Sequence, residues 1–352
     1  MKIAILLGTR PEIIRLSAVT PRLKGLCETI VIHTGQAFDY NLNGIFLDEL
    51  QFPKIDFHLG ASGTFDQQLS IMFPALAAIL REQKPDRLLV LGDTNSSVAS
   101  FMARRLGIPI YHIEGGNRCW DRANPEESNR RLIDHISDVH MPYAESGRRN
   151  LLAEGIPGHC IHVTGNPMLE AIRRVDRMCP TMPGSIPSEP FFLSTFHREE
   201  TVDKPARLRS LLDGLERLAE RFGRHILVST HPRTKARLEG LTTSRWLDFM
   251  DPVGFKRFID LERAADLILT DSGTVPEECA IFGKPCVVLR DSFERPELLE
   301  AGCAILSGVE PESILRCAQV MMSRLLPAQC PEEYLRANVS EVVANVVLGY
   351  MK

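Results

Sequence analysis

Short apolar runs alternate with longer amphipathic stretches along the chain. The first run covers residues 2–7 and is followed by Gly8-Thr9-Arg10-Pro11 and then by apolar residues at helical spacing. This alternation predicts repeated strand–helix units. The predicted strands of the first half are 2–7, 29–33, 87–91, 108–113, 138–141 and 160–163, and those of the second half are 191–196, 225–229, 246–250, 266–269, 286–289 and 304–306.

A proline-rich segment without periodicity separates the two halves. Residues 178–187 contain three prolines, which stop helices and suit a linker. Strand–helix alternation implies parallel sheets, and 352 residues are about twice a usual domain. We therefore predict an α/β protein with two Rossmann-like, doubly wound parallel-sheet domains, at 1–170 and 171–332, that face each other across a cleft.

Composition and charge narrow the possible function classes. Hydrophobic residues make up 44% and charged residues 24%, which is typical of a globular protein. With 41 basic and 45 acidic residues, the net charge of −4 argues against binding of nucleic acid by counterion release. No apolar stretch approaches the roughly 18 to 20 residues that span a bilayer, and the first residues do not resemble a signal peptide.

The cysteines indicate a reducing compartment. Nine cysteines are scattered along the chain with no Cys-x-x-Cys pair. An odd count in a chain of this size favours reduced thiols and a cytoplasmic location. A zinc site would need paired ligands at short spacing, which the sequence lacks. We expect a cytoplasmic protein without a metal, a membrane contact or a nucleic-acid partner.

Polar residues collect where the predicted strands end. Ligands of open parallel sheets bind beyond the carboxyl ends of the strands. Turn residues alone would explain Gly and Asp there, but not so many His, Arg and acidic residues together. We therefore expect a ligand site formed from the segments 8–10, 33–36, 92–95, 114–118, 197–200, 231–233, 271–274 and 290–291.

The segment 271–278 lies between a predicted buried strand and a helix. Ser272, Gly273 and Thr274 would present N–H and hydroxyl groups at a helix N-terminus, where phosphates bind. Glu278 could then accept hydrogen bonds from two ribose hydroxyls, although a plain capping box is the alternative. Because the chain has neither a G-x-G-x-x-G nor a Walker A motif, the diphosphate of a nucleotide-sugar fits better than NAD or ATP.

Two further residues could contact the same diphosphate. Arg10 follows the first strand and could neutralise it, the alternative being an ordinary surface arginine. His197 at a strand end could donate to phosphate or act as an acid, unless it is a buried histidine with satisfied hydrogen bonds. His231 has a weaker case and could simply shape a turn.

Several acidic residues suit acid–base chemistry. Crowded carboxylates drive each other's pKa values apart, and Asp93, Glu114 and Glu126 lie near the predicted site. Asp93 could instead cap the following helix. Glu126 and Glu127 follow Pro125, where the helix dipole alone favours acids. We interpret the next charged residues as an ion-pair network: Arg130, Arg131, Asp134 and His135.

In their order, these motifs resemble the non-hydrolysing UDP-N-acetylglucosamine 2-epimerase family. The resemblance extends from residue 1 to about residue 310 without a large gap. It rests on Gly8-Thr9-Arg10-Pro11-Glu12, Gly92-Asp93-Thr94, Glu114-Gly115-Gly116, Pro125-Glu126-Glu127, Asn129-Arg130-Arg131, Thr164-Gly165-Asn166, His197-Arg198-Glu199, Asp271-Ser272-Gly273, Glu277-Glu278 and Glu294-Arg295-Pro296-Glu297.

The resemblance implies a GT-B-like fold, with UDP held mainly by the C-terminal domain and the sugar between the domains. It implies loss of the C2 proton with elimination of UDP to a 2-acetamidoglycal, followed by re-addition of UDP with protonation from the opposite face. The implied catalytic residues are Asp93, Glu114, Glu126 and His197. The implied UDP- and substrate-binding residues are Arg10, Phe258 beside the uracil, Ser272, Gly273, Thr274, Glu278 and Arg295.

The resemblance also concerns the whole molecule. It implies a homodimer that needs no cofactor and that supplies precursors of surface polysaccharides such as capsule and O-antigen. By the same analogy, a C-terminal helix at 333–352 returns to the first domain.

Two segments depart from the usual family pattern. The stretch from Glu114 to Glu127 is about two residues shorter than in relatives that act on UDP-N-acetylglucosamine, and residues 36–40 replace a more polar stretch. Both features resemble the subgroup that makes UDP-N-acetyl-L-fucosamine from UDP-2-acetamido-2,6-dideoxy-L-talose. Phe38, Tyr40 and Trp120 would suit the methyl group of a 6-deoxy sugar. The change around Ala37 also puts the allosteric second-sugar site of bacterial relatives in doubt.

Other functions remain open at this point. A UDP-N-acetylglucosamine 2-epimerase would give UDP-N-acetylmannosamine. A hydrolysing epimerase would release free sugar, and a GT-B glycosyltransferase would consume UDP-sugar only with an acceptor. A UDP-sugar-binding protein without catalysis is the least favoured, because the acidic residues of the family are present.

Overall fold

The computed structural model describes residues 1–35, 44–182, 184–240, 244–324 and 328–349. The chain divides into two compact units. Unit 1 consists of Met1–Met178 together with Glu332–Lys352, and unit 2 consists of Cys179–Pro331. None of the helices in the described ranges is both long and apolar enough to cross a membrane.

Unit 1 contains, in its described part, a six-stranded parallel sheet in the order β3-β2-β1-β4-β5-β6. The strands are β1 Lys2–Leu7, β2 Glu28–His33, β3 Phe57–His58, β4 Arg87–Leu91, β5 Ile110–Ile113 and β6 Val139–Met141. The helices are α1 Arg10–Lys24, α2 Ile45–Glu49, α3 Phe65–Gln83, α4 Asn95–Ala99, α5 Phe101–Arg105, α6 Pro125–Ile136, α7 Glu145–Ala153, α8 Met168–Met178 and, from the chain end, α16 Val339–Leu348.

Unit 2 repeats this architecture over its described residues, with a parallel sheet in the order β12-β11-β10-β7-β8-β9. The strands are β7 Phe191–Thr195, β8 His225–Ser229, β9 Leu247–Met250, β10 Leu267–Thr270, β11 Cys286–Val288 and β12 Ala304–Leu306. The helices are α9 Glu199–Val202, α10 Pro205–Phe222, α11 Pro232–Leu238, α12 Phe255–Ala264, α13 Val275–Phe282, α14 Pro296–Glu300 and α15 Pro311–Met322.

Both sheets have a point at which the strand order reverses. In unit 1 it lies between β1 and β4, and in unit 2 between β7 and β10. Consecutive connections leave for opposite faces of the sheet at such a point, so a crevice opens beyond the strand ends where ligands bind. Every residue of β1 from Ile3 onward is buried, as expected for a central strand covered on both faces.

The strand predictions failed at two places in unit 1. The predicted strand at 160–163 is wrong, because Gly158–Cys160 forms a 3-10 turn and Ile161 makes only an isolated bridge to His140. The edge strand β3 was not predicted, because it has two residues and therefore no measurable periodicity.

The division between the units lies after α8 rather than within it. The predicted division at 170/171 falls inside this continuous helix, which has buried residues on both sides of that point, Leu169 before it and Ile172 after it. At the other end of the chain, α16 packs against α1. There the backbone N–H of Ser340 donates to Glu170 Oε2 at 3.1 Å.

Candidate active site

The strand-order reversal of unit 1 is organised by a buried glutamate. Glu12, in the first turn of α1, accepts hydrogen bonds at Oε2 from the backbone N–H groups of Gly8 and Thr9, both at 2.7 Å. Its Oε1 accepts from Thr94 Oγ1 at 2.7 Å, which ties the turn after β1 to the turn after β4. Burial raises the pKa of Glu12 to about 7, against the opposing effect of these hydrogen bonds.

Arg10 lies in the same turn and has no acidic partner within the described residues. Its guanidinium lies 5.8 Å from the ring centroid of Phe46. Burial lowers the pKa of Arg10, and a desolvated cation without a counter-ion is costly unless an anion completes the site. This environment suits a phosphate group, and the assignment of Arg10 to phosphate stays a prediction.

Glu114, the residue after β5, is held by three side chains. Its Oε2 accepts from Arg15 Nη1 at 2.9 Å and from the Tyr143 hydroxyl at 3.2 Å, and its Oε1 accepts from Asn117 Nδ2 at 3.1 Å. The residue is buried and has a φ of 72°, which is uncommon outside glycine. Such backbone strain is typical of functional positions.

Asp93, the second residue after β4, forms an ion pair and does not cap a helix. Its Oδ2 accepts from Arg130 Nε at 2.6 Å, while Thr94 occupies the N-cap position of α4. Since β4 and β5 are neighbours, Gly92 lies beside Glu114, and a Cβ on Gly92 would meet Glu114 Oε2 at 3.4 Å. The structure thus brings the turns of Asp93 and Glu114 together.

The two glutamates at the start of α6 differ in burial. Glu127 is buried and accepts from Arg130 Nη1 at 3.1 Å and from the Cys119 backbone N–H at 3.0 Å. Glu126 is half-buried at the helix N-terminus, where its N–H donates to the N-cap residue Asn124. The predicted ion-pair network of α6 is confirmed through Arg130, Arg131 and Asp134.

The strand-order reversal of unit 2 is built around Asp271, which the sequence motif contains but to which no role was given. Its Oδ2 accepts from the backbone N–H groups of His197 and Arg198, both at 2.8 Å. Burial raises the pKa of Asp271, partly offset by these bonds and by the charge of Arg198. His197 is about one-third exposed, with Nδ1 3.4 Å from Asp271 Oδ1, so it is not a fully buried structural histidine.

The turn after β10 has the features of an anion site. The Ser272 hydroxyl accepts from the Thr274 N–H at 3.2 Å, whereas the N–H groups of Gly273 and Val275 make no hydrogen bond within the described residues. A side chain at Gly273 would come within 2.8 Å of Glu294 Oε1. Because no side chain caps α13, the capping-box alternative is wrong. Free N–H groups at a helix start attract phosphate.

The remaining predicted UDP residues of unit 2 differ in burial. Arg295 is buried and pairs with Glu277 and with Glu294, the latter at 2.9 Å. It therefore stabilises the turn through these two acidic residues. Phe258 is half-buried on α12. Glu278 is buried near Glu262, a residue that sequence reasoning missed. Burial and then the charge of Glu278 raise the pKa of Glu262 well above its ordinary value.

Comparisons with known proteins identify the family of this chain. The family model described as UDP-N-acetylglucosamine 2-epimerase matches residues 22–348. The UDP-N-acetylglucosamine 2-epimerase of Methanococcus maripaludis is 36% identical, and the match covers 100% of this chain and 99% of that protein. The UDP-2,3-diacetamido-2,3-dideoxy-D-glucuronate 2-epimerase of Pseudomonas aeruginosa is 34% identical over 93% of this chain and 94% of that protein.

A solved structure shows the same fold. The Methanocaldococcus jannaschii UDP-GlcNAc 2-epimerase, crystallised with UDP-GlcNAc and UDP, is 35% identical with a TM-score of 0.94, covering 99% of both chains. This confirms the predicted fold class of two Rossmann-like parallel-sheet domains of the GT-B type. The chain therefore belongs to the UDP-N-acetylglucosamine 2-epimerase family and is a UDP-sugar 2-epimerase, an isomerase that acts on carbohydrates.

Proposed function

We propose that the protein inverts C2 of a UDP-N-acetylhexosamine by elimination and re-addition of UDP, without hydrolysis. The observation that carries the proposal is the pair of carboxylates after neighbouring strands, each held by its own arginine. Arg130 binds Asp93 at 2.6 Å and Arg15 binds Glu114 at 2.9 Å. These ion pairs hold both carboxylates in fixed positions, as general acid–base catalysis requires of the groups that exchange a proton with the substrate.

The reaction needs a base, an acid on the opposite face and positive charge for the leaving group. A carboxylate takes the C2 proton, and the electron pair of the C2–H bond becomes the C1=C2 double bond of the glycal. The C1–O bond breaks in the same elimination, and the electron pair of that bond leaves with UDP. In the return step a UDP oxygen attacks C1, and a protonated acid delivers a proton to the other face of C2. We assign these proton transfers to Asp93, Glu114 and Glu126, with His197 beside the departing diphosphate.

Unit 2 is assigned to UDP. The N–H groups of Gly273 and Val275 and the hydroxyls of Ser272 and Thr274 would receive phosphate oxygens, as preorganised donors stabilise charge that develops on a leaving group. The buried Glu278 would accept from the ribose hydroxyls, and Phe258 would border the uracil. Arg10, a cation without an acidic partner in the described ranges, is assigned to a phosphate group of the substrate.

For the substrate we propose UDP-2-acetamido-2,6-dideoxy-L-talose, which gives UDP-N-acetyl-L-fucosamine for surface polysaccharide synthesis. Trp120 supports this choice. It lies between Glu114 and Glu126, is 60% exposed and has a φ of 59°, a conformation that bulky residues rarely adopt. An exposed aromatic ring on a backbone strained in this way suits contact with the methyl group of the sugar. The other two predicted aromatic residues, Phe38 and Tyr40, lie outside the described residues.

UDP-N-acetylglucosamine is the second candidate substrate. The names of the Methanococcus maripaludis and Methanocaldococcus jannaschii relatives, at 36% and 38% identity, favour it. Its product would be UDP-N-acetylmannosamine.

Proton NMR in D2O tests the reaction and the substrate together. The protein is incubated with each UDP-sugar in turn, without an acceptor. We expect deuterium at C2 with inversion for the 6-deoxy-L-talo sugar. Turnover of UDP-N-acetylglucosamine alone would overturn the substrate assignment. Free sugar would indicate a hydrolysing enzyme, and consumption only after addition of an acceptor would indicate a glycosyltransferase. The homodimer and the cytoplasmic location stay predictions.

A further inference from the structure

A buried charged cluster lies behind the two carboxylates of unit 1. At its centre is Asp134 of α6, which is fully buried. Its Oδ1 accepts from His112 Nδ1 at 2.8 Å, and its Oδ2 accepts from Arg118 Nη1 at 2.8 Å and from the Gly116 N–H at 3.1 Å. Arg118 in turn binds Glu154 through two bonds of 2.7 Å.

The second ring nitrogen of His112 reaches the other strand. Its Nε2 donates to the carbonyl oxygen of Gly92 at 2.9 Å. Burial would raise the pKa of Asp134, but the hydrogen bond from His112, the nearby His140 ring and the charges of His112 and Arg118 hold it well below its ordinary value. His112 thus connects the carboxylate of Asp134 on α6 to the backbone carbonyl of Gly92, the residue before Asp93.

These bonds hold the backbone before one proposed catalytic carboxylate, Asp93, and after the other, Glu114. Gly92 directly precedes Asp93, and Gly116 follows Glu114 by two residues. The local sequence is adapted to this contact, because a Cβ on Gly115 would meet Asp134 Oδ1 at 3.1 Å. A Cβ on Gly116 would come within 2.3 Å of the Gly147 carbonyl oxygen. The Gly-Gly pair therefore lets the turn after β5 approach the carboxylate of Asp134.

A metal ion is a poor alternative for this cluster. His112, Asp134 and His140 do place potential ligand atoms within 4.8 Å of one another. However, both oxygens of Asp134 already accept from protein donors, one of which is the guanidinium of Arg118. A cation would have to displace these donors and lie beside a fixed positive charge. The donor set fits an internal scaffold better than a metal centre.

We propose that Asp134 and His112 are positioning residues, which hold the turns of Asp93 and Glu114 in the geometry that C2 proton transfer requires. The proposal rests on the proposed function. Neither residue needs to touch the substrate, because both act through the backbone at Gly92 and Gly116. A misplacement of about 1 Å in a catalytic group can lower a rate about 100-fold.

The test compares the two ends of the same cluster. Asp134→Asn and His112→Gln remove bonds at the catalytic end, whereas Glu154→Gln removes the partner of Arg118 at the far end and leaves the bonds to Gly92 and Gly116. We expect Asp134→Asn to lower kcat about 100-fold with KM and UDP affinity nearly unchanged. The kinetic isotope effect of substrate deuterated at C2 should rise, since proton transfer becomes slower. Glu154→Gln should keep kcat within about twofold.

Two results would overturn the proposal: equal losses of kcat in Asp134→Asn and Glu154→Gln, or a loss in KM alone. If Asp134→Asn fails to fold, kcat and KM of His112→Gln are compared with those of Glu154→Gln in the same way. Hydrogen exchange of peptides that cover 90–95 and 112–118 adds a measurement independent of activity. Faster exchange in Asp134→Asn but not in Glu154→Gln supports the proposal, and equal exchange rejects it. Should the wild-type protein turn over neither sugar, the proposed function fails and the exchange data still decide this inference.

Discussion

At the scale of single residues, the carboxyl groups of unit 1 differ in what neutralises them. Asp93 and Glu114 each have an arginine, and Asp134 has both an arginine and a histidine. Glu12 has hydrogen-bond donors but no bound cation among the described residues, and burial raises its pKa to about 7. Glu12 is therefore the carboxyl group of this set whose charge changes near neutral pH.

The stability of the protein should depend on pH through Glu12. Its pKa rises from an ordinary 4.5 to about 7 on folding, so between these values the folded state binds more protons than the unfolded state. Stability therefore falls as the pH rises through this window, by about 3 kcal/mol for a shift of this size. Glu12→Gln keeps an acceptor for Gly8 and Thr9 and offers a donor to Thr94. It should remove this slope.

Urea unfolding of both proteins from pH 4.5 to pH 8 measures the effect. The difference in unfolding free energy between Glu12→Gln and wild type should grow with pH and level off above about pH 8. Asp66→Asn is the control, since this exposed acid lies in the first turn of α3 and does not contact the site. A constant difference across the range would contradict the assignment to Glu12.

At the scale of elements, the turn after β10 depends on the absence of one side chain. Gly273 lies against Glu294, which Arg290 and Arg295 hold at 2.8 and 2.9 Å. A methyl group there would press on a carboxylate that cannot move freely, and it would shield the N–H groups that we assign to phosphate. Gly273→Ala should therefore weaken UDP binding about tenfold, the equivalent of roughly 1.4 kcal/mol.

Calorimetric titration with UDP checks this prediction. Gly158→Ala serves as the control, because a Cβ there would make only an ordinary contact of 3.6 Å with Leu152. Its UDP affinity should equal that of the wild type. Unchanged affinity in Gly273→Ala would show that the diphosphate does not bind at this turn.

The sequence predicts elements better than it predicts the partners of side chains. The central strands were found because they are long and apolar, whereas β3 has two residues, and Ile161 is apolar without forming a ladder. Polar residues were placed at the right strand ends because parallel strands end at one edge. Arg15 lies 99 residues before its partner Glu114, and Glu262 lies on the helix that precedes the strand before Glu278, so no spacing pointed to either partnership. Glu12 did carry a signal, since Thr9-x-x-Glu12 is a capping-box pattern.

At the scale of the whole molecule, unit 1 contains both ends of the chain. Its sheet is formed by residues 2–141. Helix α16 follows unit 2 in the sequence and yet packs against α1. Val339, Val343, Ala344 and Val347 are the buried residues of this helix. Because α1 begins with Arg10 and Glu12 at the proposed site, the chain end supports the helix that presents those residues. Unit 1 can complete its core only when the last segment is present.

This arrangement predicts a selective cost for a small change near the end of the chain. Val343 is fully buried, and removal of its two methyl groups should lower the unfolding free energy by about 2 kcal/mol. Asn345→Ala, two residues further along and exposed, should stay within about 0.5 kcal/mol of wild type. Urea unfolding measures both free energies. UDP titration of folded Val343→Ala should give wild-type affinity, because the residues that we assign to UDP in unit 2 have their own core. Equal unfolding free energies for the two variants would show that α16 contributes little to unit 1.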